Sequence, residues 1–181
     1  MNKVVAIDTC AIIHLMHIDG FRLLEALKYS TLTTVFVQLE FDQGHEDSRD
    51  YFYFLIEKKK VHKIVLDVED LITMANLPKS RQASDAELSC FVVAQRIGCR
   101  TMTDDENAIK FARNHLDIGL SGILRLVDLL FEAYEAYLLG DHDLRSMQQI
   151  LEDNKFRIKM DLATEAARRR LISSPGMYSR Q

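Results

Sequence analysis

The sequence predicts an α/β domain built on a parallel sheet with helices on both faces. Short apolar or β-branched runs recur along the chain, each followed by a longer stretch of helical periodicity, and such alternation needs crossover connections that make neighbouring strands parallel. The first run, Val4, Val5, Ala6 and Ile7, is apolar throughout rather than alternating, as in a strand covered on both faces. The 181 residues contain only two Pro and seven Gly, with no Pro-rich or Ser/Gly-rich stretch, so a single domain without a flexible linker is expected.

The elements follow in order. Val4 to Ile7 make the first strand, which ends at Asp8. Ala11, Ile12, Leu15 and Ile18 recur at helical spacing, and after Gly20 so do Phe21, Leu24 and Leu27. Thr33, Thr34, Val35, Phe36 and Val37 read as a second strand, with Gln38, Leu39, Glu40 and Phe41 opening the next helix. Residues 49–60, RDYFYFLIEKKK, read as helix from their length and terminal lysines. Ile64, Val65 and Leu66 form a brief third strand, and residues 71–76 a helix that Pro78 stops. Residues 84–96 form a helix closed by Gly98, and residues 99–103 a fourth strand running into Asp104. Ala108, Ile109, Phe111 and Ala112 mark another helix, and from Gly122 to about residue 171 helical periodicity holds almost throughout, broken near Gly140 and Asn154. The expected organisation is an α/β unit over residues 1–120 and a helical C-terminal extension over 121–181 packed on the same domain.

Lys and Arg number 23 against 27 Asp and Glu, for a net charge of −4 and a pI near 5.9, which argues against a broad basic surface. Two basic clusters, Lys58, Lys59, Lys60 and Lys63 and then Arg168, Arg169 and Arg170, read as solvated faces, with phosphate contact as the alternative. Cys10, Cys90 and Cys99 are odd in number and lack zinc or disulfide spacing, so reduced thiols and a cytoplasmic protein are expected. The start MNKVVAID meets Asp8 too soon for a signal peptide or membrane span.

Acids cluster at element ends. Asp8 follows strand one, Glu40 strand two, and Asp104 and Asp105 strand four, while Asp85 and Glu87 open the helix before strand four. Each has a purely structural explanation, because a carboxylate in the first turn caps free amides and favours the positive end of the helix dipole. Ser84 with Glu87, and Thr103 with Glu106, both fit the capping-box pattern. Taken together, though, acids from four segments converge on the carboxyl end of one sheet, where ligands of such folds bind. They would repel one another unless a hard cation neutralised them, and oxygen ligands without nearby Cys or His suit Mg2+ or Mn2+ rather than zinc. Such a cation binds phosphate oxygens and acidifies water, which makes phosphodiester hydrolysis the natural chemistry.

These segments, VVAIDTCAIIHL, TTVFVQLE and SDAELSCFVVAQRIGCRTMTDDENAIKFA, resemble the successive motifs of PIN-domain nucleases over roughly residues 3–115. Residues 121–171, beginning SGILRLVDLL, are similar to the helical tail of VapC-like toxin ribonucleases of that family. The resemblance implies a three-layer sandwich with a central parallel sheet and Mg2+- or Mn2+-dependent cleavage of RNA. It further implies an antitoxin protein as partner and a homodimer. By family register it places the four acids at Asp8, Glu40, Glu87 and Asp105, with Asp85 and Asp104 as adjacent candidates for the metal. Asp8, Glu87 and Asp105 would bind metal, Glu40 would bind it or orient the attacking water, and Thr9 and Thr103 would support them, Thr9 by a hydrogen bond to Asp8.

Other features have simpler readings. His14 and His17 stand three apart but without a third ligand, so they read as helix-face histidines rather than a zinc site. Tyr51, Phe52, Tyr53 and Phe54 read as core packing, with base stacking as the alternative. Two other functions compete with the nuclease. A phospho-receiver would place its acceptor at Asp67, after Ile64, Val65 and Leu66, but lacks the paired acids after strand one and the expected Lys. A catalytically inactive protein-binding module would dock a partner on the helical third rich in Leu124, Leu126, Leu129, Leu130 and Tyr134.

Overall fold

The computed structural model describes residues 3–79 and 81–173. Five parallel strands form one sheet in the order β3-β2-β1-β4-β5: β1 is Lys3–Ile7, β2 Tyr29–Thr33, β3 Val61–Lys63, β4 Arg100–Met102 and β5 Ile123–Leu124. Val5, Ala6 and Ile7 are consecutive and all buried, and since neighbours in a strand point to opposite faces, the central strand is covered on both sides. The covering helices are α1 (Thr9–His17), α2 (Phe21–Ala26), α3 (Val35–Gln43), α4 (Glu46–Glu57), α5 (Val68–Asn76), α6 (Asp85–Ile97), α7 (Glu106–His115), α8 (Leu126–Glu135), α9 (Asp141–Asp153) and α10 (Leu162–Ser173). The result is the expected α/β sandwich.

From β1 the chain builds outward through β2 to β3, then returns to the other side of β1 for β4 and β5. The order therefore reverses between β1 and β4. At such a switch point the connections leave in opposite directions and open a crevice beyond the carboxyl ends of the strands. Asp8 and Thr103 begin the two connections, and the Asp8 amide donates to the Met102 carbonyl at 3.3 Å.

One apolar core runs from Val5, Ile7 and Leu15 through Leu126 and Leu130 to Leu151, Leu162 and Ala166, so α8 to α10 share the core of the sheet. A second cluster, including Phe91, Val92, Ile109 and Leu116, lies between α6 and α7. α6 ends as the sequence predicts. Gly98 adopts φ 69, where a side chain is strained, and its amide returns to the last turn.

The strand boundaries differ from expectation at three places. Residues 33–37 do not form a strand: β2 ends at Thr33 and α3 begins at Val35. Thr34 is the N-cap, its hydroxyl accepting from the Val37 amide at 3.4 Å, so a capping geometry overrides the β propensity of Val35, Phe36 and Val37. The third strand lies at Val61–Lys63 rather than 64–66; Val61 is buried whereas Val65 is 84% exposed, and the core takes the residue it can cover. The stretch after Gly122 is not wholly helical, because Ile123 and Leu124 pair with Thr101 and Met102 as β5. Two residues are too few to show a period.

The basic clusters are largely engaged within the chain. Lys60 pairs with Glu25 at 3.1 Å, Lys63 donates to Gln38, Arg168 and Arg169 pair with Glu165, and Arg170 lies over the rings of Tyr134 and Tyr137. Phe52 is buried in a stack with Phe41, centroids 4.6 Å apart, while Tyr53 and Phe54 face outward. Asp67 and Asp70 form a capping box on α5 and both pair with Arg96 of α6.

Candidate active site

Asp8 caps α1. Its Oδ1 accepts from the Ala11 amide at 2.8 Å, and the Cys10 thiol donates to its two oxygens at 3.2 and 3.3 Å. The side chain is fully buried, and burial pushes its pKa up from an ordinary 3.8 to about 6, against the hydrogen bonds from Thr103, Ala11 and Cys10. Burial also raises the Cys10 thiol, with the charge of Asp8 acting in the same direction, so this sulfur stays protonated and serves as a donor.

Glu87 belongs to the first turn of α6 and forms the predicted capping box. The Ser84 amide donates to Glu87 Oε2 at 2.7 Å and the Glu87 amide to Ser84 Oγ at 3.3 Å. Burial pushes Glu87 up from 4.5 to about 7; the charges of Asp8 and Asp105 add to this, and the Ser84 amide opposes it. Glu87 thus feels the acid after β1 and the acid after β4 at once.

Asp105 is the N-cap of α7, its Oδ1 accepting from Asn107 and Ala108 amides at 2.7 and 2.9 Å. It takes the role expected of Thr103. The Thr103 side chain is instead buried behind it, accepting from the Asp105 amide at 3.2 Å and holding Asp8. Glu106, the other half of the anticipated box, turns outward to Arg125 at 2.7 Å. A two-residue offset of the cap decides this, since Asp105 stands where its carboxylate reaches two amides.

Glu40 lies beyond the first turn of α3 and accepts from Thr9 Oγ1 at 2.5 Å. The Thr9 hydroxyl therefore holds Glu40 rather than Asp8, the partner expected from the sequence. The two helices that carry Glu40 and Glu87 are joined by a buried contact between Thr34 Oγ1 and Ser89 Oγ at 2.6 Å.

Asp104 stands beside the group, its charge adding to the rise in the Asp8 pKa, whereas Asp85 faces elsewhere. Asp104 Oδ1 accepts from the Leu126 amide at 3.1 Å, and its Oδ2 lies 3.5 Å from His14 Nδ1 without either atom making an aligned hydrogen bond among the described residues. Asp85 is exposed on α6 in a surface cleft with Phe36, Leu71 and Pro78. Sequence reasoning did not foresee the roles of Cys10, Thr34 and Ser89. Their signal was available only as position: Cys10 stands two residues after Asp8, Thr34 immediately before α3, and Ser89 in the second turn of α6.

Among the described residues, no three His, Cys, Asp or Glu side chains stand close enough together to hold an ion. The chemistry of the donors nonetheless fits a hard cation. Asp8, Glu87 and Asp105 are carboxylates, and the mutual charge effects on Glu87 are of the sign that a divalent ion reverses. The amides of α1, α6 and α7 also begin at this crevice, so three helix N-termini favour negative charge there.

A family profile described as PIN domain matches residues 4–170, from β1 into α10. Among curated proteins none matches the chain. No described helix is long and apolar enough to cross a membrane. PIN domains are generally nucleases that use divalent metals, and with nearly the whole length matched from the strand before Asp8 to the last helix, this chain belongs to the PIN-domain family.

Proposed function

We propose that the chain is a Mg2+- or Mn2+-dependent ribonuclease that hydrolyses RNA phosphodiester bonds. The observation that carries this reading is the placement of Asp8 after β1, Glu87 in the first turn of α6 and Asp105 as the α7 cap at the switch point of a PIN-family fold. Carboxylates left to repel one another inside a crevice disfavour the folded state, and a divalent cation removes that penalty.

Asp8, Glu87 and Asp105 would hold the cation, which when bound draws phosphate oxygens and makes water more acidic. Glu40 supplies the proton acceptor: Thr9 engages its Oε2, fixing the carboxylate so that its other oxygen can orient water. Thr103 and Cys10 hold Asp8 by hydrogen bonds, and its burial keeps bulk water off the carboxylate. The amides opening α1, α6 and α7 favour the anionic phosphate over neutral ligands.

Within this reading the protein acts in the cytoplasm as the toxin of a toxin–antitoxin pair, supported by the likeness of the α8–α10 segment to toxin-like members of the family. A small open reading frame beside the gene whose product binds and silences the nuclease is the expected partner. The ribonuclease is tested by incubating labelled structured RNA with purified protein in Mn2+ or EDTA, beside Asp8→Asn. Cleavage by wild type with metal alone is expected; none under any condition, together with no Mn2+ binding by calorimetry, rejects it.

One observation favours a second reading, a protein-binding module. On α5, Asp70 is buried while Val68, Leu71 and Ile72 are 66%, 46% and 54% exposed, so the apolar face of that helix is turned to solvent. Docking and catalysis are compatible, and metal-dependent cleavage separates a binding module from an enzyme that also binds a partner.

A further inference from the structure

A cavity of about 550 Å3 opens between α7, β5, the start of α8 and the link from α9 to α10. Its size is in the range of small-molecule sites. Leu120, Val127, Ile158 and Met160 make its walls largely apolar. One end is Asp104, whose Oδ2 lies 3.5 Å from His14 of α1, the helix that Asp8 caps; Asp8, Glu40, Glu87 and Asp105 do not line the cavity.

Its charges are unequal in availability. Arg125 is occupied by Glu106 at 2.7 Å, and Arg169 by Glu165 at 3.0 Å and by the Phe131 ring. Asp128 accepts from the Arg125 amide as part of the α8 cap. Arg157 and Lys159 also line the cavity, are exposed, and form no ion pair among the described residues. They alternate with Phe156 and Ile158, which are half-buried against the core, Phe156 with its ring 4.4 Å from His14. The α9–α10 link thus offers apolar surface inward and two uncommitted cations at the rim.

We infer that this cavity holds one nucleotide of a single-stranded RNA substrate, its base on the apolar wall of Leu120, Val127 and Ile158 and its flanking phosphates on Arg157 and Lys159. The inference rests on the nuclease reading for the identity of the polymer. Base faces bury against apolar surface with little regard to sequence, and cations beside such a surface follow the backbone. A strand positioned this way runs from the rim toward Asp104 and the adjoining carboxylates.

The test is fluorescence anisotropy with an unstructured, fluorescein-labelled RNA of about a dozen nucleotides, the full chain and EDTA to prevent cleavage. Replacing both cations (R157A/K159A) is expected to weaken binding about tenfold at moderate salt and to lower the slope of log K against log salt by about 1.4, the value for two lost phosphate contacts on a single strand. Reversing both charges (R157E/K159E) should weaken it further, with the melting temperature unchanged in both because the side chains are exposed. Unchanged affinity and slope in both variants overturns the inference. So does loss of binding confined to a labelled peptide of alternating Glu and Leu, which reassigns the cavity to a protein partner. Cleavage in Mn2+ is read separately: cleaving wild type with indifferent variants rejects the cavity alone, whereas cation-dependent RNA binding without cleavage keeps the cavity and rejects the nuclease.

Discussion

The two ends of the sheet treat charge in opposite ways. At the amino end, Glu132 of α8 meets Lys3 at 2.9 Å, Arg100 at 3.1 Å and the Tyr29 hydroxyl at 2.8 Å. Lys3 and Arg100 also lie over the Tyr29 ring, 4.8 and 5.3 Å from its centroid. One acid there is surrounded by two cations and a phenol. At the carboxyl end, Asp8, Glu87 and Asp105 receive amides, hydroxyls and a thiol but no cation among the described residues. The chain closes a charge network at the amino end, so the imbalance at the other end does not come from a shortage of basic residues.

The largest effect expected from this contrast is on chemistry. Asp8→Asn should lower Mn2+-dependent RNA cleavage by about a hundred- to a thousandfold, the range for removing a charge-stabilising group, as measured by single-turnover assays. An unimpaired variant would show that the imbalance is not catalytic.

The same substitution should raise stability without metal. Asp8 binds its proton more tightly folded, at about 6, than at the ordinary 3.8; its contribution is therefore full below 3.8 and lost as pH rises through about 6. Asn caps a helix as well as Asp and carries no buried charge. Asp8→Asn should be more stable than wild type by roughly 1–3 kcal/mol at pH 8 in EDTA, with the gap closing toward pH 4. Urea unfolding at the two pH values measures it, and a less stable variant at pH 8 would break the comparison.

Thr9→Val sharpens it. Loss of the hydroxyl that holds Glu40 should slow cleavage about tenfold and leave the Mn2+ dissociation constant unchanged by calorimetry. The smallest effect belongs to the closed end: Glu132→Gln leaves Lys3 and Arg100 partly unpaired, but both are partly exposed, so a loss of about 1 kcal/mol is expected. Metal affinity should not change. A shift in Mn2+ binding from this remote variant would mean that the two ends are coupled.

How much was legible in the sequence depended on whether local signals agreed. α6 carried a cap, a helical period and a closing Gly98, all consistent with the structure that forms. β2 and α3 did not agree so well, because Thr34 belongs equally to a β-branched run and to a cap, and only the geometry decides for the cap. β5 left no trace of its own, since Ile123 and Leu124 become a strand only by pairing with β4. The positions of the acids at element ends could be read directly. The direction of each carboxylate could not: Asp104 and Asp105 are neighbours, yet one turns to Leu126 and the other to Asn107 and Ala108. That choice depends on where α7 and α8 begin in space.

The hydroxyl pair between Thr34 and Ser89 has an evolutionary consequence. It links the helix bearing Glu40 to the helix bearing Glu87, while the sheet beneath is held by apolar packing of its own. A lineage that exchanged these small hydroxyls for aliphatic side chains would keep its strands and core but lose the spacing between the two acids. Under the proposed function, decay into a fold that only binds would thus be a short mutational path, open without passing through an unfolded ancestor.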